Sequence, residues 1–473
     1  MADSLPVELV FEGRPFDAAA VTHTLRHLAM HVGWRLVPRS QYRLVYATFA
    51  GALSDATSGP LFDGIVVPSS PQVGAHLREA RTPFPLARDS DGQLVPFPHV
   101  HRSRRGWLDG DVVAGAHACL NLWYEQRTQP AAGDGWILYK QDWMAQAGLS
   151  DPAALADRWL KMIYETSLQL GWPDTRQHRQ FTVVLTHDVD YLPGRRDRGS
   201  PRFARTLYRQ LLVRRRPLDA WRLLRHYLRE SVRSRTPYLE VSRIIAEEGR
   251  LGARSSFQFV VDPQHRHDPR YTDRDIPWSA LRPEWEVCLH GSYLAARTPG
   301  KVKAERARLE ALAQRAVCGY RQHYLNFQPE RLFREVVAAG LRYDMSVGYN
   351  DRSGPRAGTH FPFKPFDLST GQPYGFWEIP FVLMDTTLAT TYRLSGAEAL
   401  LHARAVLEPV VAGGGCVAII WHQEQCGGLL DPGYDATYLH LLRWLVSKGG
   451  QLITGAQCVD EWDAAWQGTA GDD

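Results

Sequence analysis

"VVLTHDVDYL", residues 183 to 192, runs three apolar residues into a polar end. Val183, Val184 and Leu185 belong in a core, whereas His187, Asp188 and Asp190 carry groups that water or a ligand must satisfy. A short strand apolar on both faces is the mark of a parallel sheet covered by helices. In such folds the functional groups gather beyond the C-terminal ends of the strands. The pattern recurs downstream. "SSFQFVV", "FWEIPFVL" and "GQLITG" read as further strands. "EVCLH" ends in His290, "VCGYR" ends in Arg321 with His323 two residues on, and "CVAIIWH" ends in His422. Helical stretches such as "VSRIIAEEGRLG" and "KAERARLEALAQRA" lie between them. From Phe181 onward the sequence therefore predicts an α/β fold with a mostly parallel sheet or barrel.

The chain has 473 residues, 44% hydrophobic and 22% charged, enough for a sizeable core and for two domains. We place the boundary near residue 175. Residues 1–175 form an N-terminal α/β accessory domain of unassigned role, and 176–465 form the second domain. The N-terminus, "MADSLPVELVFEGRPF", has neither a basic n-region nor an apolar h-region, so no signal peptide is expected. No run of apolar residues is long enough to span a membrane. The six cysteines are scattered without CxxC spacing and read as reduced thiols. The expected location is the cytoplasm.

A net charge of +4 is too small to imply nucleic acid. Charge is concentrated in one place: residues 195–240 hold fourteen Arg and no Lys against four acids, interleaved with Leu and aromatic residues. This Arg-rich insertion reads as one or two basic amphipathic helices, interrupted near Pro217. Its face is either plainly solvated or adapted to anionic lipid or glycan, so peripheral contact with the inner membrane face is one expectation. No nucleic-acid motif accompanies it.

The chemistry sits at the strand ends. Asp188 and Asp190 flank Val189 and share a face if the strand persists. Two carboxylates so close call for a divalent cation or a shared proton. An aspartate with two neutral imidazoles suits zinc with an open position for water.

In that order the segments "THDVD" (186–190), "HGSY" (290–293), "RQHY" (321–324) and "WHQ" (421–423) resemble the polysaccharide deacetylases of carbohydrate esterase family 4, the NodB-homology domain. With "GYND", "RAGT" and "WEIP" the series is most similar to a divergent branch associated with bacterial surface-polysaccharide gene clusters. The resemblance covers about 178 to 460. It implies a distorted (β/α)7-type barrel and metal-dependent removal of an N-acetyl or O-acetyl group from a sugar. On matching positions it implies Asp188 as general base and Asp190 as metal ligand. It further implies His290 as the first metal histidine and Arg321 as the residue that holds the base. The Tyr324 N–H would form part of an oxyanion hole, and His422 would be the general acid. Two departures stand out. Leu294 occupies the place of the second metal histidine, and His323 replaces a proline. We expect His323 to supply the lost ligand, with His360 and His187 as rivals. The implied metal is zinc, with cobalt, nickel or iron as alternatives. The implied substrate is an acetylated sugar or glycan of a surface polysaccharide, or its nucleotide- or lipid-linked precursor. A metal-free glycan-binding or scaffold protein, and an amidase or deformylase on a sugar amide, remain as other readings. Trp377, Trp421 and Tyr349 either line a sugar platform or belong to the core.

Overall fold

The structure is a computed structural model that describes residues 4–48, 64–79, 82–89, 92–98, 105–128, 137–176, 179–192, 200–232, 241–367, 369–427 and 430–469. Two parallel sheets organise the chain. The first has the order β2-β1-β3-β4, with β1 at Leu5–Glu12, β2 at Trp34–Val37, β3 at Arg43–Thr48 and β4 at Ile65–Ser69. A small antiparallel ribbon follows, β5 (Leu86–Arg88) with β6 (Leu94–Pro96).

The second sheet begins at β7 (Thr182–Val189), the strand that carries Asp188. All eight of its residues are buried, as a strand apolar on both faces requires. The sheet continues through β8 (Ser256–Phe259), β9 (Glu286–Gly291), β10 (Gly319–Gln322) and β11 (Tyr343–Asp344). A ribbon of β12 (Phe366–Asp367) and β13 (Gln372–Pro373) stands apart. Then come β14 (Trp377–Glu378), β15 (Phe381–Met384), β16 (Cys416–Ile420) and β17 (Gln451–Ile453). The pairing order is β14-β11-β10-β9-β8-β7-β16-β15, and β17 also pairs with β7. Every pairing in this sheet is parallel.

The two ends of that order, β14 and β15, are consecutive in the chain and separated by Ile379 and Pro380 alone. Two residues span at most about 10 Å between their neighbours. The sheet must therefore curl until its edges meet. Proline has no N–H to continue a ladder, so the apolar run "FWEIPFVL" breaks at Pro380 into two short strands instead of one. With β14 and β15 taken as one bent strand, the wall is a distorted barrel of seven positions. β17 and β8 share one edge of β7, pairing with Thr182–Val184 and Thr186–Val189 respectively.

The N-terminal part is bolted to this barrel. Arg356 makes a two-pronged ion pair with Glu125, at 2.7 and 2.5 Å, with both side chains almost fully buried. Asp157 accepts hydrogen bonds from the Thr359 hydroxyl and from the His360 N–H. The "RAGT" segment is thus the strap between the two sheets. The helix Ala18–Val32 lays His23, His27 and His31 against Trp462, Trp466, Phe361 and Phe366, with ring centroids 4.0 to 5.4 Å apart. One continuous hydrophobic cluster runs through both parts. Trp377, Trp421 and Tyr349 are fully buried within it, so they are core residues and form no sugar platform. Among the described residues no helix is long and apolar enough to cross a membrane.

The Arg-rich insertion is helical, with Ser200–Tyr208 and Pro217–Val232 joined by a π-turn at Arg209–Val213. Pro217 opens the second helix, where a missing N–H costs nothing. The ends of the insertion, 193–199 and 233–240, lie outside the described residues.

Candidate active site and metal centre

The C-terminal ends of β7, β9, β10, β15 and β16 converge at one mouth of the barrel. Asp188 and Asp190 leave β7 on the same side. Arg321, at the end of β10, is fully buried and donates from Nη1 to Asp188 Oδ1 at 2.6 Å and to Thr186 Oγ1 at 2.8 Å. Its Nε donates to the Met345 carbonyl at 2.9 Å, which fixes the plane of the guanidinium. Burial pushes the Asp188 carboxyl up. Arg321, then His290 and His422, outweigh that and hold it below its ordinary range.

Asp190 faces three imidazoles. Its Oδ1 lies 3.6 Å from His290 Nε2 and 3.5 Å from His323 Nε2, and its Oδ2 lies 3.6 Å from His422 Nε2. These separations are long for hydrogen bonds. They are close to the edge, about 3.3 Å, of a tetrahedron of N and O ligands around zinc. Asp190 Oδ1 is buried and accepts no hydrogen bond, an orphaned acceptor aimed at the same point as the two Nε2 atoms. One ligand atom each from Asp190, His290 and His323 lies within 4.8 Å of the others. The imidazoles are oriented from behind. His290 Nδ1 donates to the Arg321 carbonyl at 2.9 Å, and His323 Nδ1 faces Asp268 Oδ1 at 3.5 Å. A proton held on Nδ1 leaves the Nε2 lone pair for a metal. The donor set therefore fits a divalent cation.

Neither rival for the third ligand reaches this point. His187 Nδ1 donates to the Trp421 carbonyl at 2.7 Å, and its Nε2 meets Glu248 at 2.8 Å beside Tyr438. Its ring points to the outside of the barrel wall, because alternate residues of a strand face opposite ways. His360 sits at the far end of β16, where its carbonyl accepts from the Cys416 N–H. Leu294, where the family pattern has its second histidine, is exposed, and the imidazole that joins His290 in facing Asp190 Oδ1 is that of His323, from the neighbouring strand end.

His422 is the third buried histidine of the mouth. Its Nδ1 donates to Asp385 Oδ1 at 2.7 Å, and its backbone N–H donates to Asp385 Oδ2 at 2.8 Å. Burial pulls the imidazole down. Asp385, then Asp190 and Asp188, overcome this and push it up to about 10.

Tyr324 and Leu325 follow His323 at φ 57° and 53°, two successive left-handed residues that are not glycine. Such backbone costs roughly 1–3 kcal/mol per residue and collects at functional sites. It turns the chain sharply beside His323, and the half-exposed Tyr324 ring packs on His323 and His267 at 4.7 and 5.3 Å. Tyr293, which is buried, packs edge-on against Tyr324 and stacks on His265 at 4.4 Å.

Sequence reading missed two residues. Asp385 stands at the end of β15 and was open to the same strand-end argument as Asp188. Asp268 lies in the irregular loop after β8, where no periodicity marks it. It accepts from the N–H groups of Gln264, His265 and Tyr293 as well as facing His323.

No protein-family model matches the sequence, and no curated protein matches it. Solved structures similar to the chain include one described as a polysaccharide deacetylase from Mycobacterium smegmatis, at 18% identity and a TM-score of 0.39, over 62% of this chain and 92% of that one. Another, described as a polysaccharide deacetylase from Pseudomonas aeruginosa, has 14% identity and a TM-score of 0.37, over 47% of this chain and 72% of the other. An allantoinase matches at 14% identity and a TM-score of 0.39, over 60% and 89%. A fold shared at this distance hosts many reactions, so the chemistry has to be argued from the site.

Proposed function

We propose that this site is a metal-dependent hydrolase centre that removes an acyl group, acetyl foremost, from the nitrogen or oxygen of a sugar. The observation that carries the reading is the convergence of Asp190, His290 and His323 on one point, flanked by two opposed proton-handling pairs, Asp188–Arg321 and His422–Asp385.

Asp190 Oδ1 and the Nε2 atoms of His290 and His323 would hold the cation, with zinc favoured by the N/O donor set. When bound, it would acidify a water and polarise the acyl carbonyl. Asp188, kept charged by Arg321, takes the proton of that water as general base. The Tyr324 N–H stabilises the developing oxyanion, and one such donor contributes about 3–4 kcal/mol in comparable sites. The protonated His422 gives its proton to the departing amine or alkoxide, and Asp385 stabilises the imidazolium until then. The half-exposed Tyr324 ring gives a sugar ring an apolar face to lie on. The resemblance to deacetylases of surface-polysaccharide clusters supports an acylated sugar of such a polysaccharide, or of its nucleotide- or lipid-linked precursor, as the substrate class.

The test is elemental analysis of protein purified without a metal-affinity tag, beside an Asp190→Ala/His290→Ala variant, followed by assay of acetate release from acetylated sugars and sugar nucleotides. Near-stoichiometric metal that disappears in the variant, with acetate release that follows metal content, is expected. A folded wild-type protein that takes up neither zinc nor cobalt would overturn the reading and leave a glycan-binding protein on the same fold.

A further inference from the structure

The helical insertion has two apolar faces, and the fold uses one. Phe203 and Leu223 are buried between its helices, with Tyr191, Leu207, Leu224 and Tyr227 around them, and the Phe203 and Tyr227 rings stack at 4.0 Å. This inner face anchors the insertion beside Asp190, because Tyr191 is the next residue in the chain. The outer face is different. Leu211, Leu212 and Val213 follow one another through the π-turn at 44, 65 and 65% exposure, and Leu218, Trp221 and Leu228 are exposed at 72, 61 and 53%. At 3.6 residues per turn, Leu218, Trp221, Arg222, Arg225, Leu228 and Arg229 fall on the side of the helix Pro217–Val232 opposite its buried residues Ala220 and Leu223. Large apolar side chains presented together are uncommon on the surface of a soluble monomer.

The charge around them is mostly positive. Arg205, Arg215, Arg225 and Arg229 form no ion pair among the described residues, and of the two acids in the helix Pro217–Val232, Asp219 and Glu230, the first is paired with Arg222. A cleft of about 680 Å³ between the helix and Pro432, Gly433 and Asp435 is lined by Arg222, Arg225 and Arg229. We infer that this outer face docks on an anionic phospholipid surface, with Leu212, Val213, Leu218 and Trp221 entering the acyl boundary and the arginines meeting the phosphates. Long arginine stems bury their methylenes while the guanidiniums stay at headgroup level, and a guanidinium matches a phosphate with two parallel hydrogen bonds. A second copy of the chain fits the face poorly, because pairing it with itself would set its unpaired arginines against one another. The inference is independent of the hydrolase reading, although the shared contact at Tyr191 would bring the barrel mouth close to the bilayer.

The test is co-sedimentation of the full chain with vesicles of phosphatidylcholine containing phosphatidylglycerol, and with phosphatidylcholine alone. Binding to the anionic vesicles, weakened by salt, is expected. Leu212→Ser/Trp221→Ser should weaken it by about tenfold or more. Arg225→Gln/Arg229→Gln should weaken it by about fivefold per arginine. Thermal melts and metal content should match the wild type for both variants, which separates this inference from the fate of the active site. Three results would overturn it: no binding to anionic vesicles, binding indifferent to both variants, or a concentration-dependent dimer that the same substitutions dissolve.

Discussion

Two sets of three inward-facing histidines sit in this molecule and do opposite things. His23, His27 and His31 recur every fourth residue along one helix and face Trp462, Trp466, Phe361 and Phe366. His290, His323 and His422 come from three different strand ends and face Asp188, Asp190, Asp268 and Asp385. Burial does not separate the sets, since five of the six are buried and only His31, at the end of its helix, is partly open. The neighbours decide. Among aromatic rings and cations, burial pulls His23 down to about 4 and His31 to about 3, and these imidazoles behave as flat apolar side chains. Among carboxylates, His323 and His422 are driven up instead, although at His290 burial still outweighs its carboxylates and holds it down. Buried histidine alone is therefore a poor sign of chemistry, and buried histidine facing a carboxylate on a neighbouring strand end is a good one.

The comparison breaks most sharply on substitution. His290→Ala should lower activity by about a thousandfold or more and empty the metal site, because a zinc centre cannot keep its geometry on two protein ligands. His27→Leu should leave both untouched. Equal loss of metal in the two variants would erase the distinction. Next in size is Asp385→Asn, which keeps the shape of the His422 contact and removes its charge. Activity should fall by roughly 10²–10⁴-fold, the range for one positioned acid–base group, with metal content unchanged. A variant that loses metal instead would make Asp385 part of the metal centre. Smaller again is Asp268→Asn, which removes the carboxylate behind His323. Zinc affinity, measured by competition with a chelator, should weaken about 10–100-fold. An unchanged affinity would show that the 3.5 Å contact does not orient His323.

Much of this site is legible in the amino-acid sequence. The strand runs "VVLTH", "EVCLH", "CGYR" and "VAIIWH" are read from apolar length alone, and a parallel barrel obliges their ends to meet. Asp188, Asp190, His290, Arg321, His323 and His422 therefore follow from one rule and stand together at one mouth. Asp385 obeys the same rule but stands two residues beyond "FWEIPFVL", which reads as a single strand ending at Leu383, whereas the second of the two strands into which Pro380 breaks it runs on to Met384. Asp268 is illegible for a different reason: a loop has no period, and its contact with His323 bridges residues far apart in sequence. Trp377 and Trp421 show the converse. Nothing in their residue type separates a wall from a rim. That separation depends on the curl of the sheet, which only the pairing of β14 and β15 at its two ends reveals.

The smallest effect sharpens the comparison from the structural side. A histidine whose folded pKa lies below 6.5 binds fewer protons in the folded chain than in the unfolded one. Its stabilising contribution is complete above pH 6.5 and is lost as pH falls through 6.5 toward the folded value. Burial depresses His23 and His31 in this way, and holds His27 between them well below its ordinary range. Each such histidine therefore costs the fold about 1.4 kcal/mol for every pH unit below 6.5. Asp142 and Asp157, raised to about 7 by burial, act with the opposite sign over the same window, so the wild-type curve alone mixes the two. The difference between wild type and His27→Leu isolates the helix. Both proteins should be compared by urea unfolding at about pH 7.5 and about pH 5.5. The gap between them should move in favour of the leucine variant by about 1.4 kcal/mol across that interval. A gap that stays constant would mean that the helix Ala18–Val32 admits a charged imidazole without penalty, and the contrast between the two sets of histidines would then rest on catalysis alone.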